Sequence, residues 1–561
     1  MCMFSAGHPW PDRGLLKRAF QRPANWSLRA IRVLPIALSA ASFAVAATAA
    51  DEPSEPYDLW IKGGLIHDGG GGAPVAGDVL VRGDQIVRVG PTAGVEARRV
   101  IDAAGRIVAP GFIDTHSHGD PLTDKSFENF ALQGVTSVVL GQDGGTPGYS
   151  SEDGDSENAP SSGRRSLAEW MTAVEKARLQ TNIATLVGHG TLRLQAGVGV
   201  SAEPTDAQME AMQTILREGL AAGAFGMSSG LEYVPGRYAQ RSELVALADT
   251  VGRGDGVIMS HMRSEDSDKV VEALDELLAQ SRASRVHVSH LKIVFAASAR
   301  EGDRVLALLD AARKRGVIVT ADAYPYLAGY GDLSLVYPPW AKTREEWNKA
   351  VATDRPRLEA YLRERIALRG GAEAILLAEP PYTNQTLAQV AAQLQRPVEA
   401  VVIDVMGFGG PSAAHFNMRE DVQDGFIAWE HASICTDGGP SLHHPRSWGT
   451  YPKVLQEIVR ERKVITMEHA IRKMSGLPAT IVPLAKRGRI KAGYYADLVI
   501  FSPETVRSTA TWEKPAQAPI GIDHVIVNGC VQVENSRMTS NDCGRLLRKS
   551  AGANISSTLR K

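Results

Sequence analysis

The chain has 561 residues, 44% of them hydrophobic and 22% charged, with a formal net charge of −2 at pH 7. That is globular composition, long enough for a large core and a second domain. It leaves no basic excess, and so no nucleic-acid footprint.

At the N-terminus, Arg13, Lys17, Arg18, Arg22, Arg29 and Arg32 precede an apolar run from Val33 to Ala47, followed by the small residues Ala47-Thr48-Ala49-Ala50. This reads as a secretory signal with an overlong basic region. The apolar run is short for a membrane span; an uncleaved anchor is the alternative. Residues 1–50 are therefore set apart from the fold. The expectation is an exported, periplasmic enzyme with no stable membrane span after signal cleavage. Cys435, Cys530 and Cys543 remain in the mature chain without metal-type spacing. A Cys530–Cys543 disulfide would suit an oxidising compartment.

Residues 51–108 and 485–540 carry short strand-like runs, such as Tyr57–Lys62, Asp78–Arg82, Ala496–Phe501 and His524–Asn528, punctuated by glycine. Strands of this kind at both ends predict one small β-sandwich domain built from the two termini. Residues 109–484 alternate apolar runs with helical patterns, the signature of a parallel α/β sheet. The runs are Arg106–Ala109, Thr136–Leu140, Asn182–Val187, Ala224–Met227, Gly256–Met259, Arg285–Val288, Val317–Thr320 and Ala432–Cys435. Eight such units predict a (β/α)8 TIM-like barrel, with active-site groups at the strands' C-terminal ends. Between strands 7 and 8, residues 327–430 read as an inserted subdomain that could act as a lid, with helices over Arg344–Arg369 and Leu387–Gln395. Ser150–Arg165 reads as a mobile loop and 541–561 as a frayed C-terminal tail.

The strand ends carry the chemistry. His116 and His118 are two apart, so on extended backbone both imidazoles face one side and can reach one metal ion. Later strands end at Asp143, at His189, at Ser228–Glu232, at His261, at His290 with Lys292, at Asp322 with Tyr324, and at Asp437. Any one of these has a structural explanation. Histidines and carboxylates at the same end of successive barrel strands converge on one pocket, and they are the ligands that zinc and similar divalent ions take.

The sequence resembles the amidohydrolase superfamily, and within it the D-aminoacylases (N-acyl-D-amino-acid deacylases), from about residue 57 to 535. The resemblance rests on Pro110-Gly111-Phe112-Ile113-Asp114-Thr115-His116-Ser117-His118, Ser260-His261-Met262-Arg263, Ser289-His290-Leu291-Lys292, Asp322-Ala323-Tyr324-Pro325-Tyr326, Thr436-Asp437-Gly438 and His444-Pro445-Arg446. It implies that His116 and His118 hold one metal position and that His261 and His290 hold the tighter one. Asp437 would act as general base then acid, and as a ligand of the weaker metal. Lys292, Tyr324 and Arg446 would receive the substrate's α-carboxylate, with His189 second-shell to the site, at the substrate, or simply structural. The resemblance breaks at Asp143, where the family usually has a cysteine bridging two metals. A carboxylate can also bridge, but it is a harder ligand. The implied cofactor is a divalent metal, zinc first, as one or two ions.

The implied function is metal-dependent hydrolysis of N-acyl-D-amino acids, or of dipeptides ending in a D-residue. The alternatives are another amide, such as a cyclic ureide or an amide-linked xenobiotic, and a non-catalytic metal-binding protein. The partner is a small-molecule substrate with a free carboxylate; oligomeric state is left open.

Overall fold

The computed structural model describes residues 55–124, 126–149 and 165–549. The expected signal, nearly all of the Ser150–Arg165 loop and the last part of the tail lie outside these residues. Among the described residues, no helix is long and apolar enough to cross a membrane.

Both ends of the described chain meet in one nine-stranded sheet. Its order is Arg537–Met538, Cys530–Glu534, Ile522–Val527, Leu498–Phe501, Ile107–Pro110, Leu59–Ile66, Val75–Arg82 and Gln85–Gly90, with Val100–Asp102 paired beside Leu59–Ile66. Its strands are β-branched and aliphatic, and they bury Ile61, Val79, Val108, Leu498 and Ile526 in a cluster of their own. The run at Arg106–Ala109, expected as the first barrel strand, belongs here. Ile107–Pro110 pairs with Leu59–Ile66 and Leu498–Phe501, and the parallel strands begin instead at Phe112–Asp114. Gly111 is the passage between the two. A Cβ at Gly111 would stand 2.2 Å from the Thr136 side chain, so only glycine lets the backbone through.

The parallel strands form two sheets. Phe112–Asp114, Val135–Leu140 and Asn182–Thr185 make the first. Val187–Gly188, Gly226–Gly230, Val257–His261, Arg285–Val288, Val319–Ala323 and Ala432–Ile434 make the second. Leu186 alone separates Asn182–Thr185 from Val187–Gly188, so the chain passes from one sheet into the next without a turn. At the other edges, Ser117 bridges Gly438. The Tyr451 hydroxyl lies 3.1 Å from Ile113 O and 3.2 Å from Ile434 O, and Asp114 accepts from Thr436 N and Thr436 Oγ1. This is the TIM-barrel arrangement joined to a sheet domain. Its strands are buried along their length, as parallel strands covered on both faces must be. Helices Asp206–Ala222 and Ala299–Lys314 start at capping boxes, Thr205 with Gln208 and Ser298 with Glu301, and turn apolar stripes onto the strands.

Residues 328–416 contain a small antiparallel sheet, Ala328–Asp332, Ser412–Phe416 and Ile375–Leu377, with helices Arg344–Thr353, Arg355–Leu368 and Leu387–Leu394. Leu333, Tyr337, Trp347, Leu362 and Leu377 give it a separate core. Residues 541–549 do not fray. Cys543 is disulfide-bonded to Cys530, and Leu546 bridges Ile183 at the edge of the first parallel sheet. Arg548 then pairs with Glu175 at 2.8 Å.

Lys473 is buried among backbone carbonyls, donating to Trp429 O and, at 3.0 Å, to Ala432 O. Burial pulls its pKa down to about 7. The unfolded chain keeps a normal lysine, near 10.4, so between these values it binds more protons than the native state does. Stability is therefore expected to rise as pH is raised through that window, by on the order of a few kcal/mol. Urea denaturation at pH 7 and pH 9 should show this rise in the wild type and lose it in Lys473→Met. Equal pH slopes in both proteins would contradict it.

Candidate metal centre and substrate cavity

Each expected ligand is delivered by the C-terminal end of a parallel strand. His116 and His118 follow Phe112–Asp114, Asp143 follows Val135–Leu140, and His261 closes Val257–His261. His290 follows Arg285–Val288, and Asp437 follows Ala432–Ile434. His116, His118, Asp143 and Asp437 bring one ligand atom each within 4.8 Å of the others. Asp143, His261 and His290 form a second such group, so Asp143 is common to both. Asp143 Oδ1 is 3.3 Å from His116 Nε2 and 3.5 Å from His290 Nε2, and its Oδ2 is 3.7 Å from His118 Nε2. His261 Nδ1 lies 3.0 Å from His290 Nε2, and His118 Nε2 lies 3.1 Å from Asp437 Oδ1.

The backbone is bent to make this convergence. Asp143, His290 and Asp437 have φ of +54°, +37° and +47°, in the left-handed region that side chains avoid. Hydrogen bonds hold the strained turns. Asp322 accepts from His290 N at 2.5 Å, from Thr115 Oγ1 at 2.7 Å and from His287 Nε2 at 2.9 Å.

The donor set fits a divalent cation. His116 Nε2 and Asp143 Oδ1 are buried, face each other and have no hydrogen-bond partner. Buried polar atoms are rarely left so unless a ligand takes them. The charge balance points the same way. Burial and the Lys292 ammonium push His290 down, yet Asp437, Asp143 and Glu265 raise it to about 10. Burial would raise Asp437, but Arg446, His290 and the His118 hydrogen bond hold it well below the carboxylate range. The cluster is rich in anionic oxygen and calls for a cation at its centre. Imidazole and carboxylate together suit zinc and its neighbours.

A cavity of about 200 Å³ opens beside this cluster and reaches His118, Asp143, His261, His290 and Asp437. Lys292, Tyr324 and Arg446 line it as well. Arg446 Nη1 is 2.8 Å from Asp437 Oδ2, while its Nε and the Tyr324 hydroxyl have no hydrogen-bond partner. The Tyr324 ring lies between the two cations, 5.8 Å from Lys292 Nζ and 5.2 Å from Arg446 Cζ.

His189 is not brought to the cavity. It is fully buried with its Nε2 2.7 Å from Glu243 Oε1, and Glu243 also pairs with Arg193. The contact ties helix His189–Gln195 to helix Arg241–Arg253, the structural one of the roles expected for His189. Conversely, Glu232 and Glu265 were not expected as site residues. Glu232 Oε2 is 3.2 Å from His261 Nε2. Glu265 Oε1 is 3.1 Å from His290 Nδ1 and 2.7 Å from Lys292 Nζ. A carboxylate on the far nitrogen of a ligating imidazole fixes its tautomer and aims the other nitrogen. Glu232 lies at the strand end Ser228–Glu232 marked in the sequence, where no role was assigned to it. Arg369 and His415, also at the cavity, carry no such local signal.

A profile of the amidohydrolase family matches residues 99–317 and 383–533, leaving 318–382 between the matched stretches. The N-acyl-D-glutamate deacylase of Alcaligenes xylosoxydans xylosoxydans is 36% identical over 508 residues, 89% of this chain and 98% of the relative. The D-aminoacylase of the same organism is 31% identical over 512 residues, 89% of this chain and 99% of the relative. Among solved structures, a D-aminoacylase superposes with a TM-score of 0.76 at 32% identity, covering 88% of this chain and 100% of its own. The N-acyl-D-glutamate deacylase of Bordetella bronchiseptica, in complex with zinc and a phosphonate inhibitor, gives the same TM-score, identity and coverage.

Proposed function

The chain belongs to the amidohydrolase family, and from that premise we propose that it hydrolyses the amide bond of N-acyl-D-amino acids or of dipeptides ending in a D-residue. The observation that carries this reading is a single cavity holding both a divalent-metal donor set and the three groups suited to a carboxylate. The D configuration rests on the deacylases and D-aminoacylase to which the chain is similar.

His116, His118, Asp143, His261, His290 and Asp437 would hold the metal, zinc in one or two positions, with Asp143 reaching both groups. When bound, the ion supplies an acidified water and polarises the scissile carbonyl. Arg446 and Tyr324 bind the substrate's α-carboxylate through the guanidinium Nε and the hydroxyl, with Lys292 adding positive charge. With the carboxylate and the scissile carbonyl both fixed, the Cα substituent has only two directions to take, and the cavity wall selects one. Asp437, kept anionic by Arg446, accepts the proton of the attacking water and returns it to the leaving nitrogen. Glu232 and Glu265 keep the imidazoles aimed through both steps.

The finer architecture is part of the same reading. The Ser117–Gly438 bridge supports a ring of eight strands, the terminal sheet wraps its own core as a sandwich, and residues 327–430 form the cavity's lid. The Cys530–Cys543 disulfide supports an exported, periplasmic enzyme made with a signal over residues 1–50.

The test is hydrolysis of paired N-acetyl-D- and N-acetyl-L-amino acids by the mature protein supplied with zinc, cobalt or manganese. Turnover confined to the D series is expected. Turnover of neither series by protein shown to carry metal would discard acyl amino acids as substrates.

A further inference from the structure

Arg446 enters the mechanism twice, at the substrate's carboxylate and beside Asp437, and its place is set through its backbone. It is the first residue of helix Arg446–Lys453. The N–H groups in the first turn of a helix have no partner within it. His444 supplies one here: its Nδ1 accepts from the Arg446 N–H at 3.0 Å. The other ring nitrogen, Nε2, is 3.3 Å from the carbonyl of Ala328, at the start of the small lid sheet. One nitrogen accepting and the other donating is the pattern of a neutral imidazole. Burial and the nearby Arg446 charge push His444 well below the ordinary histidine range, so it keeps that form.

The ring is held from several sides. His444 is fully buried, with the Tyr326 ring centre at 5.4 Å, Tyr330 at 6.0 Å and Trp512 at 4.6 Å, each steeply inclined to it. The Tyr326 hydroxyl also donates to Pro445 O at 3.2 Å, so the residue between His444 and Arg446 is fixed as well. Trp512 comes from the nine-stranded sheet. It is half-buried on the loop between Leu498–Phe501 and Ile522–Val527, which the Arg507–Ile520 bridge closes at its base. Its ring also meets Phe416, at the end of lid strand Ser412–Phe416, at 4.6 Å. The terminal sheet, the lid and the start of the Arg446 helix therefore meet around one imidazole. Neither His444 nor Trp512 lines the cavity, so their route to the substrate runs through Arg446.

We propose that His444 is a positioning residue for the carboxylate-binding Arg446, and that Trp512 brings the terminal sheet domain into the site by locking His444 in place. This rests on the deacylase reading and gives the terminal sheet a part in substrate binding.

The experiment uses the zinc-loaded mature protein and the N-acetyl-D-amino acid it turns over fastest. His444→Leu should lower kcat/KM by about 10- to 100-fold, the cost of misplacing a binding group by up to an ångström. The loss should fall mainly on KM, with zinc content unchanged. His444→Asn puts an acceptor where Nδ1 stands and should recover most of the loss, whereas His444→Gln matches only Nε2 and should not. Trp512→Ala should act in the same direction as His444→Leu, and Trp512→Phe should stay near the wild type. The deciding measurement is a double-mutant cycle. If His444 acts through Arg446, His444→Leu added to Arg446→Met should cost less than about twofold, where an independent structural fault would cost its full factor again. Three results overturn the positioning role and leave the deacylase reading standing: an unchanged KM in folded His444→Leu, multiplying effects in the cycle, or an Asn variant no better than Leu. Should His444→Leu not fold, Trp512→Ala in the same cycle decides. No turnover of any N-acetyl-D-amino acid by the wild type overturns the deacylase reading and this role with it.

Discussion

Asp437→Asn should lower kcat for an N-acyl-D-amino acid by about 10²- to 10⁴-fold, the usual contribution of a placed general base. The substitution keeps the shape of a side chain that is 5% exposed and packed against Arg446 and His118. What it removes is the oxygen that can hold a proton. His116, His118, Asp143, His261 and His290 still converge and Asn keeps one oxygen at position 437, so zinc content at saturating zinc and thermal midpoint should stay near those of the wild type. KM should move little, because the Arg446 Nε and the Tyr324 hydroxyl are left in place for the substrate. Single-turnover kinetics with metal analysis of the same sample checks this. A kcat within about tenfold of wild type would remove Asp437 from the proton transfer.

Asp143→Ala should release the metal. One carboxylate oxygen of Asp143 lies between His116 and His290, and the other faces His118, so the residue links the two ligand groups. Losing even an outer partner of a metal ligand costs about 10- to 100-fold in affinity, and a direct ligand should cost at least as much. The measurement is zinc retained after dialysis and zinc affinity against a chromophoric chelator, neither of which depends on turnover. Asp143→Cys should retain zinc, since thiolate is a softer ligand, and should prefer zinc over manganese more strongly than the wild type does. Unchanged zinc affinity in Asp143→Ala would exclude Asp143 as a ligand. Equal metal preference in the Cys and wild-type proteins would show that ligand softness does not set the choice.

The candidate ligand cluster was legible because each of its residues sits in a short local pattern. An apolar run followed by His116-Ser117-His118, by Ser260-His261 or by Thr436-Asp437 marks a strand and what stands at its end. A barrel then brings strand ends together whatever the distance along the chain. The helices were legible from their period, while the start of Ala299–Lys314 is set by the Ser298–Glu301 capping box. The run Arg106–Ala109 was misassigned because its periodicity fits a buried strand of either sheet. Only Gly111, squeezed against Thr136, shows where the chain changes domain. The small sheet Ala328–Asp332, Ile375–Leu377 and Ser412–Phe416 was not expected at all. Its strands are short, and Ala328–Asp332 is glycine-rich with only Ala328 buried, so the alternation that marks a strand is too brief to see.

The sequence by itself determined the parallel α/β core, the sheet shared by the two ends, and which histidines and carboxylates stand at the strand ends. Those depend on residue chemistry and on repeats of two and 3.6 residues, which are local properties. Only the tertiary structure decided that His189 turns away to Glu243, that Glu232 and Glu265 stand against His261 and His290, and that the Arg369 Nε and both His415 ring nitrogens are left without a hydrogen bond. These are contacts between side chains on different elements. Periodicity tells a residue's face and burial; its neighbour across a cavity depends on how the elements pack, and no local repeat encodes that.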